Sequence, residues 1–435
     1  MASTFLVAGD PAYWNYAQRF AAEATASPAA SANYPLASIA NGRADSPFQW
    51  GSYAASSRAD FDLQALTNGT FDTDLTGWTD TDGAGASTRT TVGAEVFAGA
   101  GALKLDATAG VASRTQDVVV RAGEAWQITF YGLGDGVAGR ARLRVFNMST
   151  GNWLASGGGS WAAAVADAVT GTTAATYAQA TVAFTVEGYQ GCRYADTVIL
   201  RVELLATSGI GYADSVEMYP GVNLLSVHGH TIPALYTLMM RSSTDAFSGS
   251  DTLQESTTTT TRPAVYLHES SGMVYRRYWR LRVNWGGTAP AGTYAPTPAM
   301  IGEAVLAQVA AATVTPRHPA LAAHGRAEAF SQIRHETQAG VVWVHNTGTQ
   351  VRRGWTLPWQ TVSESEDREL IVDFWRRSAG GRHACLVVPD SSEDVVLYAR
   401  LTGDAASERS FGTMGAPGFR TSLSVMEEAH PAEGA

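Results

Sequence analysis

Charge is what this chain of 435 residues has least of. Only 16% of its residues are charged, against about 25% in ordinary soluble domains, and the basic residues are arginines apart from Lys104. The net charge is −10. An acidic chain without lysine-rich runs has no electrostatic footprint for nucleic acid or for an anionic membrane surface. No apolar run approaches the ~18 residues of a membrane span, so neither nucleic-acid binding nor membrane insertion is expected. Two cysteines, Cys192 and Cys385, cannot make a disulfide framework. The N-terminus lacks a basic leader, so the chain reads as one made in the cytoplasm. Catalytic signatures are also missing: there is no Gly-x-Ser-x-Gly, no His-Glu-x-x-His, no phosphate-cradling glycine loop and no Cys/His zinc spacing. The expectation is a protein that is not an enzyme.

What the chain has in quantity is glycine (44) and aromatic residues (12 Trp, 16 Tyr, 14 Phe). Turn formers beside β-branched and aromatic residues suit sheets with tight connections. The length suggests roughly three domains, and the expected class is all-β, a multidomain chain of β-sandwich and jelly-roll type with one helix in its C-terminal domain. That helix is predicted over 364–378, where Ser363 and Glu366 make a capping box and Leu370, Ile371, Phe374 and Trp375 form an apolar stripe. A hairpin is predicted to turn near Asn346-Thr347-Gly348. Residues 287–300, rich in Pro and Gly, read as a linker to a C-terminal domain at 301–435.

Residues 66–220 form a segment of different character, with 15 acidic and 9 basic groups. Strand-like runs recur there at 102–107, 113–121, 125–132, 141–147, 177–187, 197–206 and 212–219 between Gly-rich turns. Outside it, Asp60 and Asp62 share a strand face and admit an acid pair, although a solvated face or strand-end cap is the plainer reading. His228, His230 and His268 admit a metal cluster, but Gly229 favours a turn.

The middle segment opens Leu66-Thr67-Asn68-Gly69-Thr70-Phe71 and continues to Gly77-Trp78, has Gly101-Ala102-Leu103-Lys104-Leu105, and closes Gly211-Tyr212-Ala213-Asp214-Ser215-Val216-Glu217-Met218. It resembles the jelly-roll carbohydrate-binding modules often attached to xylanases and glucanases. The resemblance implies a structural Ca²⁺ near Asp214 and Asn68, with Ser215 standing where a second Asp often follows. It also implies sugar stacking on aromatic faces. Trp126, Tyr131, Trp153, Trp161, Tyr177 and Tyr189 are the candidates, and Trp153 and Trp161 lead because glycine-rich surroundings place them in loops.

The flanking stretches Tyr34-Pro35-Leu36-Ala37-Ser38, Asn41-Gly42, Phe48-Gln49-Trp50, Phe61-Asp62-Leu63 and Leu224 to His230 look like a discoidin-like sandwich common in the tails of tailed phages. The sugar module is then expected as an insertion, leaving 1–65 and 221–286 as one discontinuous sandwich. The C-terminal domain is similar to small domains of distal-tail and minor-tail proteins. Together these resemblances imply a structural protein of a siphophage-like tail tip or baseplate. It would be assembled with other tail proteins in the host cytoplasm as a three- or six-fold ring and carried on the virion, its inserted module touching host-surface polysaccharide. The alternative is a non-virion glycan-binding protein or the accessory module of a polysaccharide-degrading enzyme.

Overall fold

The computed structural model describes residues 5–7, 15–27, 29–30, 32, 36–40, 48–50, 56–188, 197–228, 230, 232, 236–249, 251–258, 265–285, 300–308, 313–314, 325–336, 342–362, 374–375, 384–388, 397–402, 406–411 and 417–427. Strands dominate them, in antiparallel sheets, so the chain is all-β. Its residues fall into two compact units. One comprises Leu63–Gly221 with Met273–Arg277; the other comprises Met1–Asp62, Val222–Gly272 and Tyr278–Ala435.

The first unit is a two-sheet sandwich of jelly-roll type. One sheet runs, in spatial order, Trp161–Ala162, Asn152–Leu154, Arg142–Asn147, Thr197–Ala206, Ala112–Arg121, Thr79–Asp80, with Val169–Thr170 also on Arg142–Asn147. The other runs Ala178–Thr185, Ala125–Leu133, the strand beginning at Ile210, Ala102–Asp106, Ala86–Thr90. The period-two alternation of the sequence becomes two faces. Val198, Leu200, Val202 and Leu204 are fully buried, as are Trp126, Ile128 and Phe130 on the opposing sheet. Each such side chain contributes about 1.5–3 kcal/mol.

The opening motif has a steric explanation. Asn68 and Phe71 both take left-handed backbone, with φ of 51° and 54°, a region where non-glycine residues are uncommon. The Asn68 amide donates to Asp74 O, Asp74 Oδ1 and Thr76 O and so holds the turn. A Cβ on Gly69 would lie 2.0 Å from Val216 O, which leaves glycine the residue that fits. Val216 N donates to Gly69 O across 2.9 Å, tying the opening of the unit to its closing strand. That strand bulges between Asp214 and Glu217, with Ser215 at φ 49°; the extra residue turns Ser215 away from the regular pleat. Phe71 and Trp78 are buried against one another, with ring centroids 5.7 Å apart, and Trp78 Nε1 donates to Thr67 O.

The second unit holds a five-stranded sheet in the order Thr252–Thr258, Thr237–Ser243, Tyr278–Asn284, Ser56–Asp62, Thr25–Ser27. Asp60 lies opposite Arg280 and takes both guanidinium bonds, at 2.7 and 2.8 Å. Asp60 therefore ties two strands together rather than forming an acid pair with Asp62. A larger sheet places Phe5–Val7 between Thr313–Val314 and Cys385–Val388 and continues through Leu397–Leu401, Pro417–Glu427, Val342–Val362 and Gly325–Glu336. The pairing of Phe5–Val7 with Cys385–Val388 puts the first strand in a sheet with strands from the last 135 residues, so 301–435 shares a compact unit with 1–62 and 222–272.

The predicted hairpin at Asn346-Thr347-Gly348 is not formed. Val342–Val362 runs as one strand against Gly325–Glu336, and the register slips between Phe330↔Val351 and Gln332↔Asn346. Asn346 stays paired with Gln332, and residues 347–350 oppose the single residue 331 as a bulge within one ladder. Of the helix predicted over 364–378, Phe374 and Trp375 are described and helical, with Phe374 buried; the rest lies outside the described residues, as do most of the linker 287–300 and Cys192. No helix among the described residues is long and apolar enough to cross a membrane.

Candidate functional site

The site is built by strand alternation and by register. On Arg142–Asn147 the even positions before Asn147, Arg142, Arg144 and Phe146, are partly exposed, while Leu143 and Val145 are buried. Thr197–Ala206 and Ala112–Arg121 alternate likewise, turning Arg201, Glu203, Thr115 and Asp117 to the same outer side. Cross-strand pairing then lines these residues up. Trp153 lies opposite Phe146, Phe146 opposite Arg201 and Arg201 opposite Asp117. A parallel row is Arg144, Glu203, Thr115 and Thr79. From the strand of Trp153 to that of Thr79 is four strand spacings, about 19 Å at ~4.8 Å each.

The face changes in character along this path. At one end the Trp153 and Phe146 rings sit 4.7 Å apart and tilted by 37°, an aromatic platform half-exposed on the sheet. Beyond it, Arg201 holds Asp117 bidentately at 2.8 and 2.9 Å. At the far end an open groove of about 450 Å³ is lined by Thr67, Thr79, Thr81, Thr115, Asp117 and Arg201 among others; the Thr67 hydroxyl there accepts Gln116 Nε2 and that of Thr81 is bonded to Ser113 Oγ, both at 2.9 Å. Beside the row, Val119 and Ile199 pair across strands and are exposed.

The charges of this face are bound to one another. Arg142 and Arg144 both donate to Asp167, at 2.6 and 2.7 Å, and Arg144 also approaches Glu203 at 3.8 Å. Burial alone raises the Asp167 carboxyl, but the hydrogen bonds from Arg142 and Arg144 outweigh it and hold the group below the usual carboxylate range. Burial pushes the Glu203 carboxyl up, against the pull of Arg144.

The six aromatic candidates separate. Trp153 stands on the open face. Trp161 does not share it: it pairs with Leu154, one residue on from Trp153, and so points to the other side. There it donates Nε1 to Thr185 O at 2.9 Å and lies edge-on to Phe184. Trp126 is a correction: it is fully buried and donates to Glu124 Oε2 at 2.9 Å, leaving no face for a sugar. The ring of Tyr131 is covered by Phe97, stacked at 3.7 Å, and Tyr177 spends its hydroxyl on Glu95 O. Tyr189 lies outside the described residues. Phe146, Arg201, Asp117, Asp167 and the groove threonines were not singled out from sequence; the alternation of Arg-Leu-Arg-Val-Phe was the signal for the first of them, but their partners depend on register.

The metal candidates do not fit a calcium ion. Asp214 is fully buried, and its two oxygens accept Phe97 N, Ala98 N and Ser215 N at 2.9, 3.1 and 2.6 Å. Burial, with Asp72 nearby, raises its carboxyl despite those amides. Asn68 turns its amide donor to Asp74 and Thr76. Among the described residues no group of three or more His, Cys, Asp or Glu side chains is placed to hold a metal ion.

Compared with known proteins, the chain matches no family profile and no curated protein sequence. Several solved structures align with part of it. The enzymatically active domain of bacteriophage CBA120 tailspike protein 4 aligns over 36% of this chain and 21% of its own, at 14% identity and a TM-score of 0.26; the chain thus spans about a fifth of that protein. TmCBM61, solved with β-1,4-galactotriose, aligns over 36% of this chain and 98% of its own, at 14% identity and a TM-score of 0.21. The CBM22-1 xylan-binding domain of Paenibacillus barcinonensis Xyn10C aligns over 35% and 90%, at 16% identity and a TM-score of 0.24.

Proposed function

We propose that the unit formed by Leu63–Gly221 binds a glycan across its open sheet face. The observation that carries this reading is the continuous row Trp153, Phe146, Arg201, Asp117 running into a threonine-lined groove. Pyranose rings need an apolar surface for their C–H faces and fixed donors and acceptors for their hydroxyls, and the row supplies them in that order over a length suited to several sugar residues. Because Arg142, Arg144 and Arg201 are matched by Asp117, Asp167 and Glu203, the face suits an uncharged glycan. The same pairing commits each carboxylate to an arginine, which favours binding over acid–base hydrolysis. Calorimetric titration of the full chain with neutral xylo-, gluco- and galacto-oligosaccharides tests the proposal. Trp153→Ala is expected to weaken the best ligand about tenfold or more, the loss of a base of apolar contact worth ~1.5 kcal/mol; no binding by the native chain, or binding indifferent to Trp153→Ala, refutes it.

The setting proposed for this module is a phage tail tip or baseplate, in which the second unit serves as scaffold and several copies in a ring add weak contacts into avid adhesion. What supports it is the likeness of Phe61-Asp62-Leu63 and Leu224 to His230 to tail sandwiches. Negative-stain imaging showing rings favours it, and a stable monomer that cleaves polysaccharide favours the enzyme-accessory alternative.

A further inference from the structure

The oxygens that could serve a hard cation near the closing strand are already occupied, and by this chain's own arginine. Arg89 Nε donates to Phe71 O at 2.6 Å. Its Nη2 donates to Asp72 O and, at 3.0 Å, to Ala100 O. Three carbonyls from two segments thus converge on one guanidinium, whose planar fork offers five donors and a permanent charge. The surroundings are electronegative: Asp72 Oδ1 accepts Ala100 N at 2.5 Å, and the Asp214 carboxylate accepts the amides of Phe97 and Ala98 in the same segment.

The backbone is threaded to make this possible. A Cβ on Gly101 would lie 2.4 Å from Phe71 O and 2.5 Å from Arg89 Nε, and one on Gly99, at φ +73°, would lie 1.9 Å from Asp72 Oδ1. Glycine at both positions lets the 97–101 segment reach the opening motif, and Arg89 then clamps the two. A divalent ion bridging carbonyl oxygens of separate segments would do the same mechanical work.

We infer that the Arg89 guanidinium takes the place of a structural calcium ion in this unit, cross-linking the Phe71–Asp72 carbonyls to Ala100, so that the fold is held without a bound metal. The family resemblance implies a calcium at this end of the module; the residues present replace it with a covalently tethered cation, one that neither chelators nor calcium-poor surroundings remove. The inference is independent of whether the open face binds sugar.

Thermal unfolding of the full chain in metal-stripped buffer tests it. The native chain is expected to melt at the same temperature in millimolar EDTA and in millimolar CaCl₂; a transition lowered by EDTA and restored by CaCl₂ overturns the inference. Arg89→Ala is expected to lower the unit's transition by roughly 5 °C or more, the loss of three charge-assisted bonds. An unchanged transition overturns it. Should Arg89→Ala yield no folded protein, Arg89→Lys, which keeps the charge on a compact head that cannot span all three carbonyls, is expected to melt below the native chain, and a transition equal to native overturns the inference.

Discussion

Replacing Asp167 with asparagine strips the charge from a carboxylate that holds Arg142 and Arg144 together on the open sheet face. The two bonds are short, 2.6 and 2.7 Å, and the Asp167 side chain is 19% exposed, so solvent screens it only in part. Hydrogen bonds to charged groups contribute about 1.5–3 kcal/mol each, and asparagine keeps one neutral acceptor, so the net loss expected for Asp167→Asn is about 1.5–3 kcal/mol. For a unit of this size that corresponds to a fall of about 3–12 °C in its transition. The pH dependence gives a sharper check. The Asp167 carboxyl lies below its ordinary value in the folded chain, so its stabilisation is complete above the unfolded carboxylate pKa of about 3.9 and is lost as pH falls through the lower folded value. Calorimetric scans of both proteins should therefore show a constant gap from neutral pH down to about 5, narrowing in more acid buffer. Equal transitions at neutral pH, or a gap that does not narrow in acid, would refute the view that the carboxylate's charge holds these two arginines.

Three further outcomes are expected. Trp161→Ala should leave glycan affinity within about twofold while costing about 1–2 kcal/mol of stability through the lost Thr185 bond and Phe184 contact, read by titration and melting of one preparation; a tenfold loss of affinity would place Trp161 in the site. Gly69→Ala should destabilise the same unit by about 3 kcal/mol or more, because its Cβ meets a backbone oxygen that cannot swing aside; denaturant melts check this, and a neutral effect would mean that the opening turn moves freely from the closing strand. In the other unit, Arg280→Met leaves Asp60 with only the more distant Arg58, 3.6 Å away, and should cost about 3 kcal/mol, measured as the shift of the urea midpoint.

The strands of the Leu63–Gly221 unit were largely legible because each alternates on its own. The predicted runs at 113–121, 125–132, 141–147 and 197–206 meet strands at Ala112–Arg121, Ala125–Leu133, Arg142–Asn147 and Thr197–Ala206. Short strands escaped: Ala86–Thr90, which carries Arg89, has five residues and no apolar run. The Asn346-Thr347-Gly348 prediction failed because a turn signal also suits a bulge, and only the pairing with Gly325–Glu336 distinguishes them. Of the aromatic candidates, Trp126 lay in a strand whose alternation already turned it inward, whereas the separation of Trp153 from Trp161 rests on a single residue of parity across a hairpin.

By itself the sequence determined the strand faces and the opening turn of the module, because those depend on local rules: a two-residue period, and a left-handed turn at Asn68 held by Asp74 and Thr76. Tertiary structure decided the site. Phe146, Arg201 and Asp117 come from strands 55 and 84 residues apart, and nothing local sets which residue of one strand faces which residue of the next. A one-residue slip would send every outward side chain into the core. The same holds for Arg89, whose three carbonyl partners are brought to it only when the opening motif and the 97–101 segment pack together.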